Sequence, residues 1–454
     1  MPNARHTPKR EDRPNIIVQF VDNLGYGDLG CYGHPVHRTP NIDAMAREGM
    51  RFTDFYVTAG VCTPSRASLL TGCYSQRVDM HVSDKGSAVL QPVAQKGLHP
   101  DEITIAETLG DAGYATACIG KWHLGDQPEF LPTKQGFDSW FGIPYSEDMY
   151  SRPDKDWPQL PLLRNDMVIE APVDLPTITE RYTQEAVRFI EANKDRPFFL
   201  YMPQALPGSV KIPEVGERFA GGSGNWAYGD CVEELDWSAG EIIRALQWHG
   251  LDENTLMIFL SDNGTPLNHG GSNDPLRGWG YSTWEGGMRV PCVMRWPGTI
   301  PAGVECSEVA TTMDFMPTFS RVAGTTEPQD RVIDGHDIMP LMRGDEGAES
   351  PYEAFYYYHM EQFHAVRSGK WKLFVPREDR KNWQAHEAVP GEGLLFDMEN
   401  DPGETTNLYD QHPDVVERLM ALADEARDDL GDTDREAKGR RPAGWVDDPK
   451  PLMM

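Results

Sequence analysis

The stretch Asn15-Ile-Ile-Val-Gln-Phe-Val21, followed directly by Asp22 and Asn23, decides the fold. Its short apolar run, bounded by polar residues, reads as a first buried strand. A Gly-rich loop follows, and then Thr39-Pro-Asn-Ile-Asp-Ala-Met-Ala-Arg-Glu-Gly49. There Thr39 can cap, Pro40 suits the first helical position, Ile42, Met45 and Ala46 make one apolar face, and Gly49 ends the helix. Further strands are expected at 51–57, 115–119, 198–202 and 256–260, with helices at 103–112, 179–193 and 230–249 between them. Strands alternating with helices predict an α/β domain on a large mixed, mostly parallel sheet flanked by helices.

From about residue 350 the texture changes. Residues 352–358 and 363–375 read as strands in sequence, with Arg367 and Lys372 on polar faces, and a charged helix is expected at 413–430. The expected organisation is an N-terminal tail (1–14), a catalytic domain (15–345) and a small C-terminal α+β domain (346–454). Asp414, Glu417, Asp424, Glu425, Asp428 and Asp429 read as the solvated face of its helix.

Composition narrows the function. The 454 residues carry 42 Lys and Arg against 71 Asp and Glu, a formal charge of −29. Such a surface repels phosphate backbones and anionic lipid, which argues against nucleic-acid or membrane binding. No apolar run approaches the roughly 18 to 20 residues of a spanning helix. The polar start of the chain carries no secretory h-region, so the expected location is cytoplasmic, or periplasmic or secreted if a signal has been removed. The seven cysteines (31, 62, 73, 118, 231, 292 and 306) show no CxxC pairs, which disfavours a zinc site and a disulfide framework. Six read as buried thiols; Cys62 is the exception.

Ligands of open α/β sheets bind beyond the carboxyl ends of the strands. Those ends deliver Asp22-Asn23, Ser261-Asp262-Asn263-Gly264, Gly120-Lys121-Trp122-His123 and a segment running from Ala59 through Cys62 to Arg66. Two Asp-Asn pairs offer oxygen ligands suited to a hard cation such as Ca²⁺ or Mg²⁺, and equally suit ordinary turns. In Cys62-Thr-Pro-Ser-Arg66, Pro64 fits a first helical position and Gly72 a terminus. Cys62 would then lie just before a helix N-terminus with Arg66 one turn in, an arrangement that favours an anion.

These residues resemble the type I sulfatases, the formylglycine-dependent members of the alkaline phosphatase-like superfamily. The resemblance rests on residues 62–72 (CTPSRASLLTG) and continues through 15–33, 120–125 (GKWHLG), 142–146 (GIPYS), 261–264, 284–291 (WEGGMRVP) and 401–408 (DPGETTNL). GYGDLGCYGHP and RFTDFYV look most like the arylsulfatase A and N-acetylgalactosamine-6-sulfatase branch.

The resemblance implies that a formylglycine-generating maturation enzyme oxidises Cys62, and that the hydrated aldehyde attacks the sulfur of an aryl or carbohydrate sulfate ester. It further implies that Arg66 and Lys121 hold the hydrate and sulfate, that His123 takes the proton which releases sulfate, and that Ser146 lies near the sulfate. Asp22, Asn23, Asp262 and Asn263 would bind one Ca²⁺.

Three positions depart from that pattern. Asn23 stands where an aspartate is usual, Gly208 where a histidine follows the FFLY strand, and Gly280 where a lysine precedes the WEGG motif. Lys211, His269, Arg277 and Tyr281 are the nearby candidates to contact substrate in place of the last two. Two other readings stay open at this level: a phosphoesterase or phosphonate hydrolase of the same superfamily, and a sulfatase-like protein that binds without turnover. Trp157, Tyr150, Arg152 and Arg164, in the loop 147–172, are candidates to stack on a ring.

Overall fold

The computed structural model describes residues 13–209, 213–378 and 391–453. Asn15–Asp22 is a strand with every residue buried, and it lies near the middle of a ten-stranded sheet. From edge to edge the strands are Val304–Cys306, Met50–Phe52, Cys292–Arg295, Thr255–Ser261, Asn15–Asp22, Phe198–Pro207, Ala115–Ile119, Ser139–Gly142, Leu162–Arg164 and Met167–Glu170. The five from Thr255–Ser261 to Ser139–Gly142 all run parallel. The expected mixed, mostly parallel sheet is therefore present, and its carboxyl ends share one edge.

Helices Ile178–Asn193 and Trp226–Trp248 pack over one face of the sheet, with Tyr182, Ala186 and Ile190 of the first and Leu235, Ile242 and Leu246 of the second buried. Cys62–Thr71 is a short helix buried along its whole length. Gly72 ends it at φ +69°, donating its N–H to the Ser68 carbonyl, a left-handed cap that favours glycine.

Four expectations need correction, the first being the strand expected at 363–375, which is the antiparallel pair Gln362–Ser368 and Trp371–Phe374. The strand expected at 51–57 is two strands: Met50–Phe52 belongs to the main sheet, whereas Phe55–Tyr56 pairs with Ala310–Thr311 in a separate ribbon. Thr53 and Asp54 break it, and Asp54 turns in to pair with Arg289 at 2.7 Å and Arg367 at 2.8 Å. The loop expected at 147–172 contains the hairpin Leu162–Arg164 and Met167–Glu170, which extends the sheet. Arg367 and Lys372 face the interior rather than solvent; Lys372 is fully buried between Glu285 at 2.9 Å and Glu404 at 2.7 Å.

The C-terminal part is a four-stranded antiparallel sheet of Phe355–His359, Gln362–Ser368, Trp371–Phe374 and Leu394–Asp397. Helix Pro413–Leu430 covers it through Leu419, Leu422, Ala423, Ala426 and Leu430. Of its acidic residues, Asp429 pairs with Arg77, while Asp414, Glu417, Asp424, Glu425 and Asp428 are exposed. Trp284 lies against Phe374 and Phe396, with ring centroids 4.8 and 6.1 Å away, so one apolar core spans both sheets.

Candidate active site

Strand register builds the centre of the site. Val21 pairs with Ser261, and the N–H of Asp262 donates to the Val21 carbonyl, so the next residue of each strand places Asp22 beside Asp262. The parallel strand Ala115–Ile119 lies one place beyond, across Phe198–Pro207, and ends at the same edge. Gly120 takes φ +143°, and a Cβ there would stand 1.9 Å from the Pro203 carbonyl oxygen. Only glycine passes this point. The chain then delivers Lys121 to the same edge, its N–H held by the Pro203 carbonyl.

Cys62 arrives on the buried helix. It is the first helical residue, with Val61 as the N-cap, rather than the residue before the helix. Its Sγ lies 3.6 Å from Lys121 Nζ, which also reaches Asp22 Oδ2 at 2.5 Å and Ser146 Oγ at 2.9 Å. One turn along, Arg66 donates from Nη1 to the Lys121 carbonyl and from Nη2 to Asp22 and Asp262, each at 2.7 Å. All these side chains are 3% exposed or less.

The charges are balanced by proximity. Burial works to raise the pKa of both aspartates. At Asp22 the charges of Lys121 and Arg66 outweigh it and hold the carboxyl below its ordinary value. At Asp262 burial and the nearby Asp22 charge dominate, and the value rises to about 7. Burial opposes a charge on Lys121, yet Asp22, Cys62 and Glu147 keep it raised above the ordinary lysine value. Cys62 is pushed well up by burial and then by Asp22, so it is a thiol rather than a ready thiolate.

His123 is neutral, because burial and then Lys121 and Arg66 push its pKa well down. Its Nε2 lies 3.0 Å from the Leu90 carbonyl, which can only accept, so Nε2 bears the proton. Nδ1 is buried, has no hydrogen-bond partner among the described residues, and can accept a proton.

The oxygen donors pass a test for a hard cation. Among the described residues, Asp22 Oδ1 and Asn263 Oδ1 are buried without a hydrogen-bond partner, a costly arrangement unless something binds them. Donor atoms of Asp22, Cys62 and Asp262 lie within 4.8 Å of one another. Asn23 is in the same cluster, but its Oδ1 accepts from Asn263 Nδ2 at 2.5 Å and its Nδ2 donates to Ser209 Oγ.

The residues considered as replacements divide. His269 Nε2 lies 2.7 Å from the Ser209 carbonyl and the Tyr281 hydroxyl 3.4 Å from Ser209 Oγ, which places both beside the site. Arg277 is committed elsewhere: it stacks on Trp284 at 3.8 Å and donates to the Glu404 carbonyl. Lys211 lies outside the described residues. Gly280 is pressed against the backbone, where a Cβ would come 2.2 Å from the Gly264 carbonyl oxygen. Of the ring-stacking candidates in 147–172, Arg152 lies over Trp157 and Tyr150, whereas Arg164 pairs with Glu185.

One site residue went unread in the sequence. Glu147 is fully buried, accepts from Ser146 Oγ at 2.9 Å and from the Ser209 N–H, and lies 3.6 Å from Lys121 Nζ. Its only signal was adjacency to Ser146.

A parallel sheet whose carboxyl edge joins a helix-borne Cys62, paired cations and an oxygen-rich pocket defines a hydrolase of the alkaline phosphatase-like superfamily. The sulfatase family profile matches residues 14–325, and that of the C-terminal part of N-sulphoglucosamine sulphohydrolase matches 281–428. Human arylsulfatase A is 38% identical, the match covering 90% of this chain and 87% of that protein. Dog N-acetylgalactosamine-6-sulfatase is 35% identical over 90% of this chain and 85% of its own. Among solved structures, the PsFucS1 sulfatase from Pseudoalteromonas sp. superposes with a TM-score of 0.78 at 28% identity, covering 92% of this chain and 90% of its own. The chain belongs to the sulfatase family and is a sulfuric ester hydrolase.

Proposed function

We propose that this sulfatase cleaves an aryl or carbohydrate sulfate ester at a formylglycine made from Cys62 by a maturation enzyme, with one Ca²⁺ bound nearby. The observation that carries this reading is the meeting of Cys62 Sγ, Lys121 Nζ, the Arg66 guanidinium and the Asp22–Asp262 pair in one buried cluster. The relatives named arylsulfatase A and N-acetylgalactosamine-6-sulfatase supply the two substrate classes. When present, the hydrated aldehyde supplies an oxygen nucleophile and the cation lowers the cost of its anion.

The chain's own groups then have defined tasks. Lys121 stands between residue 62 and Ser146, so its ammonium and the Ser146 hydroxyl hold sulfate oxygens. Arg66 keeps Asp22 and Asp262 parallel while adding positive charge at the helix start. His123 Nδ1 is the acceptor placed to take a proton. Asp22 Oδ1, Asn263 Oδ1 and Asp262 would hold the cation, with Asn23 joining if its amide oxygen exchanges its bond to Asn263.

The test is coexpression with a formylglycine-generating enzyme, followed by peptide mass at residue 62 and turnover of p-nitrophenyl sulfate. Conversion of Cys62 with turnover abolished in Cys62→Ala is expected. Turnover that survives in Cys62→Ala would end the reading.

A further inference from the structure

Cleaving an unactivated sulfate ester leaves a basic alkoxide, and the groups assigned so far contain no acid for it. Lys121 is locked to Asp22, and His123 bears its only proton toward Leu90. The structure places another ionisable group at this spot. Glu147 Oε2 and residue 62 Sγ both lie 3.6 Å from the same Lys121 Nζ, so the carboxyl and the nucleophile position share one ammonium.

The neighbouring backbone is shaped around this carboxyl. Gly208 has φ +77°, and a Cβ there would stand 2.3 Å from Glu147 Oε1 and 2.5 Å from its Cδ. The space beside residue 208 is thus filled by the carboxyl of another loop. Its Oε1 is held by the Ser209 N–H, and Oε2 is aimed at Ser146 and Lys121.

Resting on the sulfatase reading above, we propose that Glu147 is the catalytic acid that protonates the leaving oxygen. In the matured enzyme a bond would form between sulfur and one hydroxyl oxygen of residue 62, that hydroxyl's proton passing to solvent. The bond from sulfur to the leaving oxygen breaks, its electron pair stays on that oxygen, and the Glu147 proton moves there. The alcohol departs neutral, and Glu147 regains a proton from water. Lys121, Asp22, the adjacent Asp148 and, from helix Trp226–Trp248, Cys231 face the carboxyl. Burial, the largest influence, raises its pKa to about 7, with Lys121 opposing and Asp22 and Asp148 adding to the rise.

The experiment compares matured wild type with Glu147→Gln on p-nitrophenyl, phenyl and alkyl sulfates. An acid matters most to the poorest leaving group, so the expected loss is under about tenfold for the nitrophenyl ester and on the order of 10²-fold or more for the others. Glu147→Asp, which keeps the acid, should recover part of that loss. A loss of equal size across the series overturns the inference and leaves the sulfatase reading standing. Wild type without turnover of any ester, despite full conversion of Cys62, overturns both. A second readout is the profile of kcat/KM against leaving-group basicity across substituted aryl sulfates, which should be steeper in Glu147→Gln than in wild type, because an acid offsets the charge on the departing oxygen. Identical profiles would contradict the assignment, and this readout holds even where Glu147→Gln slows folding of the active enzyme.

Discussion

Arg66 ties Asp22 to Asp262 through a single nitrogen, with Nη2 2.7 Å from an oxygen of each. Both carboxylates are fully buried, so the guanidinium is what lets two like charges share one strand edge. Removing one partner of a buried pair costs about 3–5 kcal/mol, because the other charge is left without compensation. Arg66→Ala should lower stability by that order in denaturant unfolding without added metal, and Ca²⁺ should return part of it. Stability equal to wild type in the presence of a chelator would contradict this account of the site.

The cation reading makes a prediction at Asn23. Its Oδ1 accepts from Asn263 Nδ2, so the site has one carboxylate fewer than it could hold. Asn23→Asp should tighten Ca²⁺ binding by roughly tenfold or more, since ligand charge sets affinity at such sites. Titration calorimetry on Cys62→Ala checks it without requiring turnover. Unchanged affinity would place the ion away from residue 23.

Gly208 and Glu147 compete for the same volume. Gly208→Ala should reduce stability through both its positive φ and the clash with the carboxyl. Combined with Glu147→Ala, the clash disappears while the backbone strain remains. A double-mutant cycle should therefore show favourable coupling on the order of 1 kcal/mol or more. Additive effects would mean that the two do not touch.

The sequence made the central architecture readable and hid its polar interior. Strand 115–119 and helix 413–430 appear with their predicted bounds, because a short apolar run and a charged helical pattern are local signals. Lys372 was misread because its partners, Glu285 and Glu404, are distant in the chain; a lone lysine in an alternating strand looks like a solvent face. The break at Thr53 and Asp54 depends likewise on Arg289 and Arg367. Cys62, Arg66, Lys121 and Asp22 could be singled out from sequence because each stands at the end of a strand, just past one, or in the opening turns of a helix. Glu147 could not, since only folding brings Ser209 and Lys121 to it.

Asp314 gives a pH prediction remote from the site. Burial raises its pKa to about 7 despite hydrogen bonds from Tyr352, His336 and Thr311. The folded chain thus holds a proton that the unfolded chain releases near pH 4. This contribution is complete below about pH 4, declines as pH rises, and has gone above about 7, with a slope of up to about 1.4 kcal/mol per pH unit. Asp28 and Glu234, both pushed to about 7 by burial, act in the same direction. Stability should fall between pH 4.5 and 7, and Asp314→Asn should flatten part of that slope. An unchanged slope in the variant would contradict the assignment.

The most direct test of the central claim is a comparison of kcat/KM for p-nitrophenyl sulfate and p-nitrophenyl phosphate, using fully converted enzyme supplied with Ca²⁺. Two fixed cations, Arg66 and Lys121, are already paired with Asp22 and Asp262, which leaves less positive charge than a doubly charged phosphate needs and suits a singly charged sulfate ester better. The account predicts preference for the sulfate, lost altogether in Cys62→Ala. Preference for the phosphate would contradict it.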